Sequence, residues 1–123
     1  GAIVSFSGHV REFSKDKQLK YLEIEHYPGM TEKALEDIEK KAMKNWDVAD
    51  IRIVHRVGRL LPKDLIVGVI VSSMHRSNAF KACEFVIDFL KTDAPFWKKE
   101  ISEDSENWVD ERQEDIIKKT NWN

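Results

Sequence analysis

The sequence of 123 residues is poor in cysteine, in long apolar runs and in excess charge of either sign. Its single cysteine, Cys83, excludes an intramolecular disulfide and a cysteine-rich zinc site, and it fits a reducing, cytoplasmic setting. The longest apolar run, Leu65 to Val71, falls well short of the roughly 18 residues that a membrane helix needs. A formal net charge of −2 argues against bulk attraction to nucleic acid or to a membrane.

Other absences narrow the organisation and the chemistry. The sequence has no internal repeat, low-complexity tract or linker rich in Pro, Gly or Ser, so we expect one domain over residues 1–123. It does not begin with a basic and then apolar leader, which indicates no secretory signal. The four histidines lack ligand spacing such as HxxxH, and no Walker, GxGxxG or GxSxG motif is present. We therefore expect neither a metal nor a cofactor.

Alternating apolar and polar residues predict several strands. The first covers 1–11, and a second runs from Leu19 to Tyr27 after a polar turn at 14–18. Together these two suggest an antiparallel pair. Further strands are predicted over Ile51–Val57, Leu65–Ser72 and Phe96–Ile101. Because the strand that starts at Leu65 is almost wholly aliphatic, we expect it to be central and covered on both faces.

Two helices complete the predicted fold. One spans about Met30 to Asn45, and the other is capped by Ser77 or Asn78, with Cys83 in the apolar stripe that faces the core. The acidic stretch 103–115 is expected to be a solvated face or a latch for a basic partner. This order of elements predicts an α+β domain, with two main helices packed on a mostly antiparallel sheet.

The turn before the second helix, 73–77, is the first candidate site. An arginine at a helix N-terminus is unfavourable unless an anion or an acidic side chain neutralises it. His75, Arg76 and the free N–H groups of the helix could therefore hold a phosphate or a carboxylate. The alternative is that Arg76 pairs with a neighbouring acid and that His75 is an ordinary turn residue.

Three lysines around Phe96 and Trp97 form the second candidate site: Lys91, Lys98 and Lys99. A lysine that packs against aromatic rings or lies beside another base can have a depressed pKa and act as a general base or nucleophile. Lys98 and Lys99 are adjacent, so in an extended segment at most one of them faces a given pocket. The alternative is a solvated basic edge.

Several segments also match a known family. They are GAIVSFSGHVR (1–11), EHYPGMTEKAL (25–35), HRVG (55–58), SSMHRSNAF (72–80) and DFLKTDAPFWKKE (88–100). On these segments the chain resembles the large, catalytic subunits of molybdopterin synthase, the sulfur-inserting enzyme of molybdenum cofactor biosynthesis. Relatives commonly carry a segment before the first strand that this sequence lacks.

The resemblance implies a fold, a reaction and partners. The fold would be of the α/β hammerhead type, in a homodimer of large subunits within a heterotetramer. A small ubiquitin-like subunit would deliver sulfur on its C-terminal Gly-Gly thiocarboxylate. The substrate would be cyclic pyranopterin monophosphate (precursor Z), converted to molybdopterin by the insertion of two sulfurs.

The resemblance also implies the roles of particular residues. Lys91 and Lys98 would be catalytic, with Lys91 beside the incoming thiocarboxylate. The substrate-binding residues would be His9, Val10, Arg11, His75, Arg76, Lys99 and Glu100, with Arg112 as a further contributor. A different function remains open, that of a non-catalytic module whose basic pocket only holds the C-terminal tail of a ubiquitin-like protein. A third is an anion-binding domain for a nucleotide.

Overall fold

The computed structural model describes residues 1–109 and 113–122, which form three helices and eight strands. The helices are α1 (Met30–Asn45), α2 (Arg76–Leu90) and α3 (Gln113–Thr120). The strands are β1 (Ala2–His9), β2 (Phe13–Ser14), β3 (Lys17–His26), β4 (Asp50–His55), β5 (Gly58–Leu60), β6 (Leu65–Ser73), β7 (Phe96–Ser102) and β8 (Glu106–Trp108). The predicted α+β class is confirmed. None of the described helices is long and apolar enough to cross a membrane.

The strands form two antiparallel sheets. The smaller sheet has the order β1-β6-β4, and the larger has the order β2-β3-β7-β8, with β5 also pairing with β3. The predicted pairing of the first two long strands is therefore wrong, because β1 pairs with β6 (Val4 opposite Val71) and β3 pairs with β7 (Ile24 opposite Lys98). Alternation shows which face of a strand is buried, but it does not select the partner strand.

The main core lies between the smaller sheet and α2. Ala79 and Ala82 are fully buried on α2, and these small side chains allow the helix backbone to lie close to the sheet. Val69 and Val71 of β6 face them from the inner side of the sheet. Cys83 is buried in the same helix stripe, which confirms its predicted place in the core.

The outer face of the smaller sheet has no cover within the described chain. Ile3 of β1 is 75% exposed, Val54 of β4 is 64% exposed and Ile70 of β6 is 48% exposed. The strand β6 is central, as predicted, but the expectation that both its faces are covered is wrong for this chain alone. The helices α1 and α2 pack on the inner face only, so three aliphatic side chains remain at the surface.

The start of α1 is fixed by a capping carboxylate and by the side chain of Thr31. The Gly29 N–H donates to the Glu32 carboxylate, which caps the first turn of the helix. The buried Thr31 hydroxyl accepts a hydrogen bond from the Tyr27 N–H (2.9 Å) and donates to the Pro95 carbonyl (3.0 Å). Thr31 thus connects the end of β3 to the residue that precedes β7.

The chain after β7 differs most from expectation. The acidic stretch forms β8 and the start of α3, neither of which was predicted. Trp122, just beyond α3, packs edge-on against Trp46 (5.3 Å between centroids) and Phe85 (5.5 Å), and its indole N–H donates to the buried Asp88 (2.7 Å). These contacts hold α3 against the C-terminal half of α2.

Candidate active site

A cavity of about 360 Å³ opens where the two sheets meet the C-terminal end of α2. We call it the pocket. Its lining is Phe6, Gly8, His9, Val10, Arg11, Leu19, Leu22, His55, Ile66, Val67, Ile87, Leu90, Lys91, Ala94, Phe96, Lys98, Glu100, Val109 and Asp115. Most of these side chains are apolar, and the charged ones are three cations (Arg11, Lys91 and Lys98) and two carboxylates (Glu100 and Asp115), an excess of one positive charge. Such a lining suits an anionic ligand with a flat or apolar body.

Lys98 reaches the pocket because β7 alternates. Phe96, Lys98 and Glu100 lie on one face of the sheet, and there they pair with His26, Ile24 and Leu22 of β3. Burial lowers the pKa of the Lys98 ammonium, and the nearby Lys91 and Arg11 lower it further, while Asp115 opposes them. Among the described residues no carboxylate lies within ion-pair distance of Lys98. A lysine in this setting can lose and regain a proton more easily than an exposed one.

Lys91 enters the pocket from the C-terminal cap of α2. Its ammonium lies 3.6 Å from the carboxylate of Asp115, on α3, and the Lys91 side chain is half exposed. A cation at a helix C-terminus is favoured by the helix dipole, so the sequence needs no special arrangement to place it there. The pairing with Asp115 indicates that this position accepts a carboxylate.

Arg11 is held at the rim by a carboxylate and by the neighbouring backbone. Its Nε lies 3.5 Å from Glu100, whose other oxygen accepts a hydrogen bond from the Ser14 hydroxyl (2.8 Å). The preceding residue, Val10, is buried and bonded through its backbone to Lys63 (2.7 Å) and Asp64 (2.9 Å). The Arg11 side chain is thus fixed by Glu100, and its backbone is fixed by the bonds of Val10. Ser14, which orients Glu100, was not predicted from the sequence.

His9 also lies at the rim, on the polar face of β1. Its Nδ1 donates to the Lys63 carbonyl (3.1 Å), and its Nε2 lies 3.2 Å from the Ser7 hydroxyl. The turn that follows β5 therefore carries backbone contacts to His9 and Val10 together. This turn positions the end of β1, and with it the guanidinium of Arg11.

His55 is a pocket residue that sequence analysis did not single out. It ends β4 at the position where Ile51 and Ile53 predict a third inward side chain. Its ring stacks on Phe96, with 3.7 Å between centroids and 13° between planes. Burial lowers its pKa to about 4, with a further contribution from Lys98, so the ring is neutral near pH 7. The sequence did contain a signal for this residue: His55 occupies an inward-facing position of a strand whose other inward residues, Ile51 and Ile53, are apolar.

Three of the predicted site residues do not line the pocket. Lys99 faces away from the pocket, as an extended strand requires, and its ammonium contacts Glu106 (3.0 Å) and the Trp108 ring. His75 and Arg76 begin α2 and are exposed, whereas Lys91 ends it. The helix of 15 residues separates them by about 22 Å along its axis. One chain therefore does not bring them to the pocket.

Two remaining expectations concern the start of α2 and the C-terminal region. The helix begins at Arg76, with His75 as an extended N-cap that makes no side-chain cap bond, so neither Ser77 nor Asn78 caps it. Arg112 lies outside the described residues. In the part of the chain that the structure covers, no three His, Cys, Asp or Glu side chains come together as metal ligands would.

Known proteins match this chain over most of its length. The family model of the MoaE protein matches residues 1–93. The molybdopterin synthase catalytic subunit of Ralstonia nicotianae is 50% identical over 122 residues, which span 99% of this chain and 69% of that protein. The crystal structure of molybdopterin synthase from Staphylococcus aureus superposes with a TM-score of 0.86 and 44% identity, covering 89% of this chain and 80% of that one.

A further structural neighbour contains two kinds of subunit. It is the complex of subunits 1 and 2 of the molybdopterin-converting factor from Helicobacter pylori, which matches with a TM-score of 0.75 and 25% identity. The match covers 91% of this chain and 73% of that one. The family model alone spans most of the sequence, and the identity to curated relatives extends over nearly all of it. The chain therefore belongs to the MoaE protein family, the family of molybdopterin synthase catalytic subunits.

Proposed function

We propose that this chain converts cyclic pyranopterin monophosphate to molybdopterin by inserting two sulfurs. The observation that carries this proposal is the pocket, where Arg11, Lys91 and Lys98 converge on an apolar cavity. Positive side chains there would bind the phosphate and stabilise negative charge that develops on the attacked centre. Opening the cyclic phosphate and expelling oxygen require proton transfers, which Lys98 would perform because its pKa is lowered.

The sulfur must come from another molecule. Cys83 is the only cysteine of the sequence, it is 3% exposed, and burial raises the pKa of its thiol. A buried thiol with a raised pKa is a poor nucleophile, so this chain is unsuited to carry sulfur itself. A thiocarboxylate on a partner's C-terminal tail supplies the sulfur and, being an anion, suits the position beside Lys91 that Asp115 occupies.

A small sulfur-carrier subunit is therefore part of the proposal. The two-subunit complex from Helicobacter pylori supports such a partner for this chain. The tail would end near Lys91, with its sulfur directed into the pocket. We place this assembly in the cytoplasm, where the reducing setting suits an enzyme with a free thiol.

A homodimer would complete the site. The exposed aliphatic residues Ile3, Val54 and Ile70 form one side of the smaller sheet, and a second copy of the chain would cover them. Ala2 pairs with Ser73 at one end of this sheet, next to the start of α2, and Gly8 pairs with Val67 at the pocket end. A twofold axis across the strands would exchange these ends. His75 and Arg76 of one copy would then approach the other copy's pocket and add cations for the phosphate.

Reconstitution tests the proposed reaction. The chain is mixed with a thiocarboxylated small subunit and cyclic pyranopterin monophosphate, and the dithiolene product is measured. Lys91→Ala should fold normally and lose at least about 100-fold in turnover, as expected when one charge-stabilising group is removed. Binding of the small subunit without any binding of the pterin phosphate in calorimetry would instead favour the tail-binding module and contradict the proposal.

A further inference from the structure

The pocket is rich in donors, and most of its acceptors are already engaged. Glu100 accepts from Ser14 and lies beside Arg11, and Asp115 is paired with Lys91. A further acceptor on a pocket side chain is a ring nitrogen of His55. Within the described residues, no group donates to its Nε2, while its Nδ1 is bonded.

The position of this ring is fixed on two sides. The side chain lies on the inner face of β4, and the ring lies flat against Phe96 at 3.7 Å. Its Nδ1 lies 2.8 Å from the Arg56 carbonyl. Arg56 is itself held in place, since its backbone N–H donates to the Ile66 carbonyl (2.8 Å) and its side-chain guanidinium donates to the Leu65 carbonyl (3.2 Å). The ring therefore has one fixed orientation at the lining of the pocket.

The same contacts fix the tautomer. A carbonyl oxygen only accepts hydrogen bonds, so Nδ1 carries the proton that lies between it and Arg56. The ring is neutral near pH 7 because burial lowers its pKa to about 4. In a neutral ring with a proton on Nδ1, the other nitrogen carries a lone pair. His55, which lines the pocket together with the cations Arg11, Lys91 and Lys98, thus carries an acceptor nitrogen.

We propose that His55 is a substrate-binding residue whose Nε2 accepts a hydrogen bond from an N–H group of the pterin ring system. The inference rests on the proposed function and names one contact within it. The cations of the pocket match the phosphate, which offers acceptors, but they offer nothing to the N–H groups of the heterocycle. His55 offers an acceptor for one of these groups, and so it distinguishes the pterin from a bare phosphate.

The first test is a substitution that keeps the stacked shape. His55→Phe retains a flat ring against Phe96 and removes both ring nitrogens. The dissociation constant of cyclic pyranopterin monophosphate, measured by calorimetry on the complex with the small subunit, should rise about tenfold, the effect of losing one buried hydrogen bond. The inhibition constant of inorganic phosphate should stay unchanged. His55→Gln, which keeps an acceptor, should recover part of the affinity.

The second test uses the wild-type chain and does not depend on a variant that folds. The ¹⁵N signal of the His55 Nε2 should have the shift of an unprotonated nitrogen and move upfield when the pterin phosphate binds. Equal affinities for the pterin in wild type and His55→Phe, equal losses for pterin and phosphate, or an Nε2 signal that does not respond would each overturn this inference alone. A wild-type complex that does not bind the pterin at all would overturn the proposed function as well.

Discussion

Replacing Lys98 by methionine should make the protein more stable and less active at the same time. The Lys98 ammonium is largely buried, faces Lys91 and Arg11, and has a lowered pKa for these reasons. Methionine has a similar length and no charge, so Lys98→Met removes the desolvation cost while retaining most of the packing. We expect the free energy of unfolding to rise by about 1 kcal/mol near pH 7, which raises Tm by roughly 4 °C in a chain of this size.

The pH dependence gives this prediction its sign. Because the folded-state pKa of Lys98 lies below the unfolded value, the unfolded chain binds more protons between the two values, and wild-type stability rises with pH there. The advantage of Lys98→Met is therefore largest below the folded pKa and shrinks as the pH rises toward 10.5. Thermal unfolding followed by circular dichroism at several pH values measures it.

The adjacent residue offers a matched control. Lys99 lies on the other face of β7, and its pKa is raised by a hydrogen bond with Glu106. Lys99→Met should therefore give no gain in Tm. A Lys98→Met variant that is less stable than wild type near pH 7, or a Tm difference that does not change with pH, would refute the reasoning about burial and charge.

Three other predictions follow from single contacts. Asp115→Asn removes the carboxylate beside Lys91, so the affinity for the small subunit's tail, measured by calorimetry, should rise about threefold. The pKa of Lys98 should also fall further, because Asp115 raises it. Weaker binding of the tail would contradict this prediction. Ser14→Ala leaves Glu100 without its 2.8 Å hydrogen bond, so KM for the pterin phosphate should rise about fivefold with Tm nearly unchanged; an unaltered KM would show that Glu100 needs no such support. Ile70→Asp places a charge on the outer face of the smaller sheet and should give a folded monomer of low activity in size-exclusion chromatography, whereas a dimer of normal activity would exclude that face as the interface.

Most individual elements could be predicted from the sequence, because alternation and helical spacing are local properties. The two long helices and the strands around Leu65 and Phe96 were found in this way. The partner of each strand could not be found, since nothing in residues 1–11 indicates that β1 pairs with β6 rather than β3. The helix α3 was missed because its first residues belong to the acidic stretch 103–115, which is typical of a solvated face. The tryptophan that anchors the helix, Trp122, lies beyond its end.

The candidate site shows the same division. The alternation of β7 indicated that at most one of the two adjacent lysines faces a given pocket, and in the structure Lys98 lines it. The importance of His55 depends on its contact with Phe96, which is 41 residues later in the sequence, and no local pattern reveals such a contact. The exposed start of α2, with Arg76, could be recognised as unusual, but its distance from Lys91 depends on the length and direction of the helix.

The central claim is that the lysine facing the pocket, and not its neighbour, takes part in sulfur insertion. Dithiolene formation from cyclic pyranopterin monophosphate, with a thiocarboxylated small subunit in excess, tests it most directly in wild type, Lys98→Met and Lys99→Met. We expect the first substitution to reduce the rate at least about 100-fold, the usual cost of losing a proton-transfer group, and the second to leave most of the rate. Equal rates for Lys98→Met and wild type would contradict the claim.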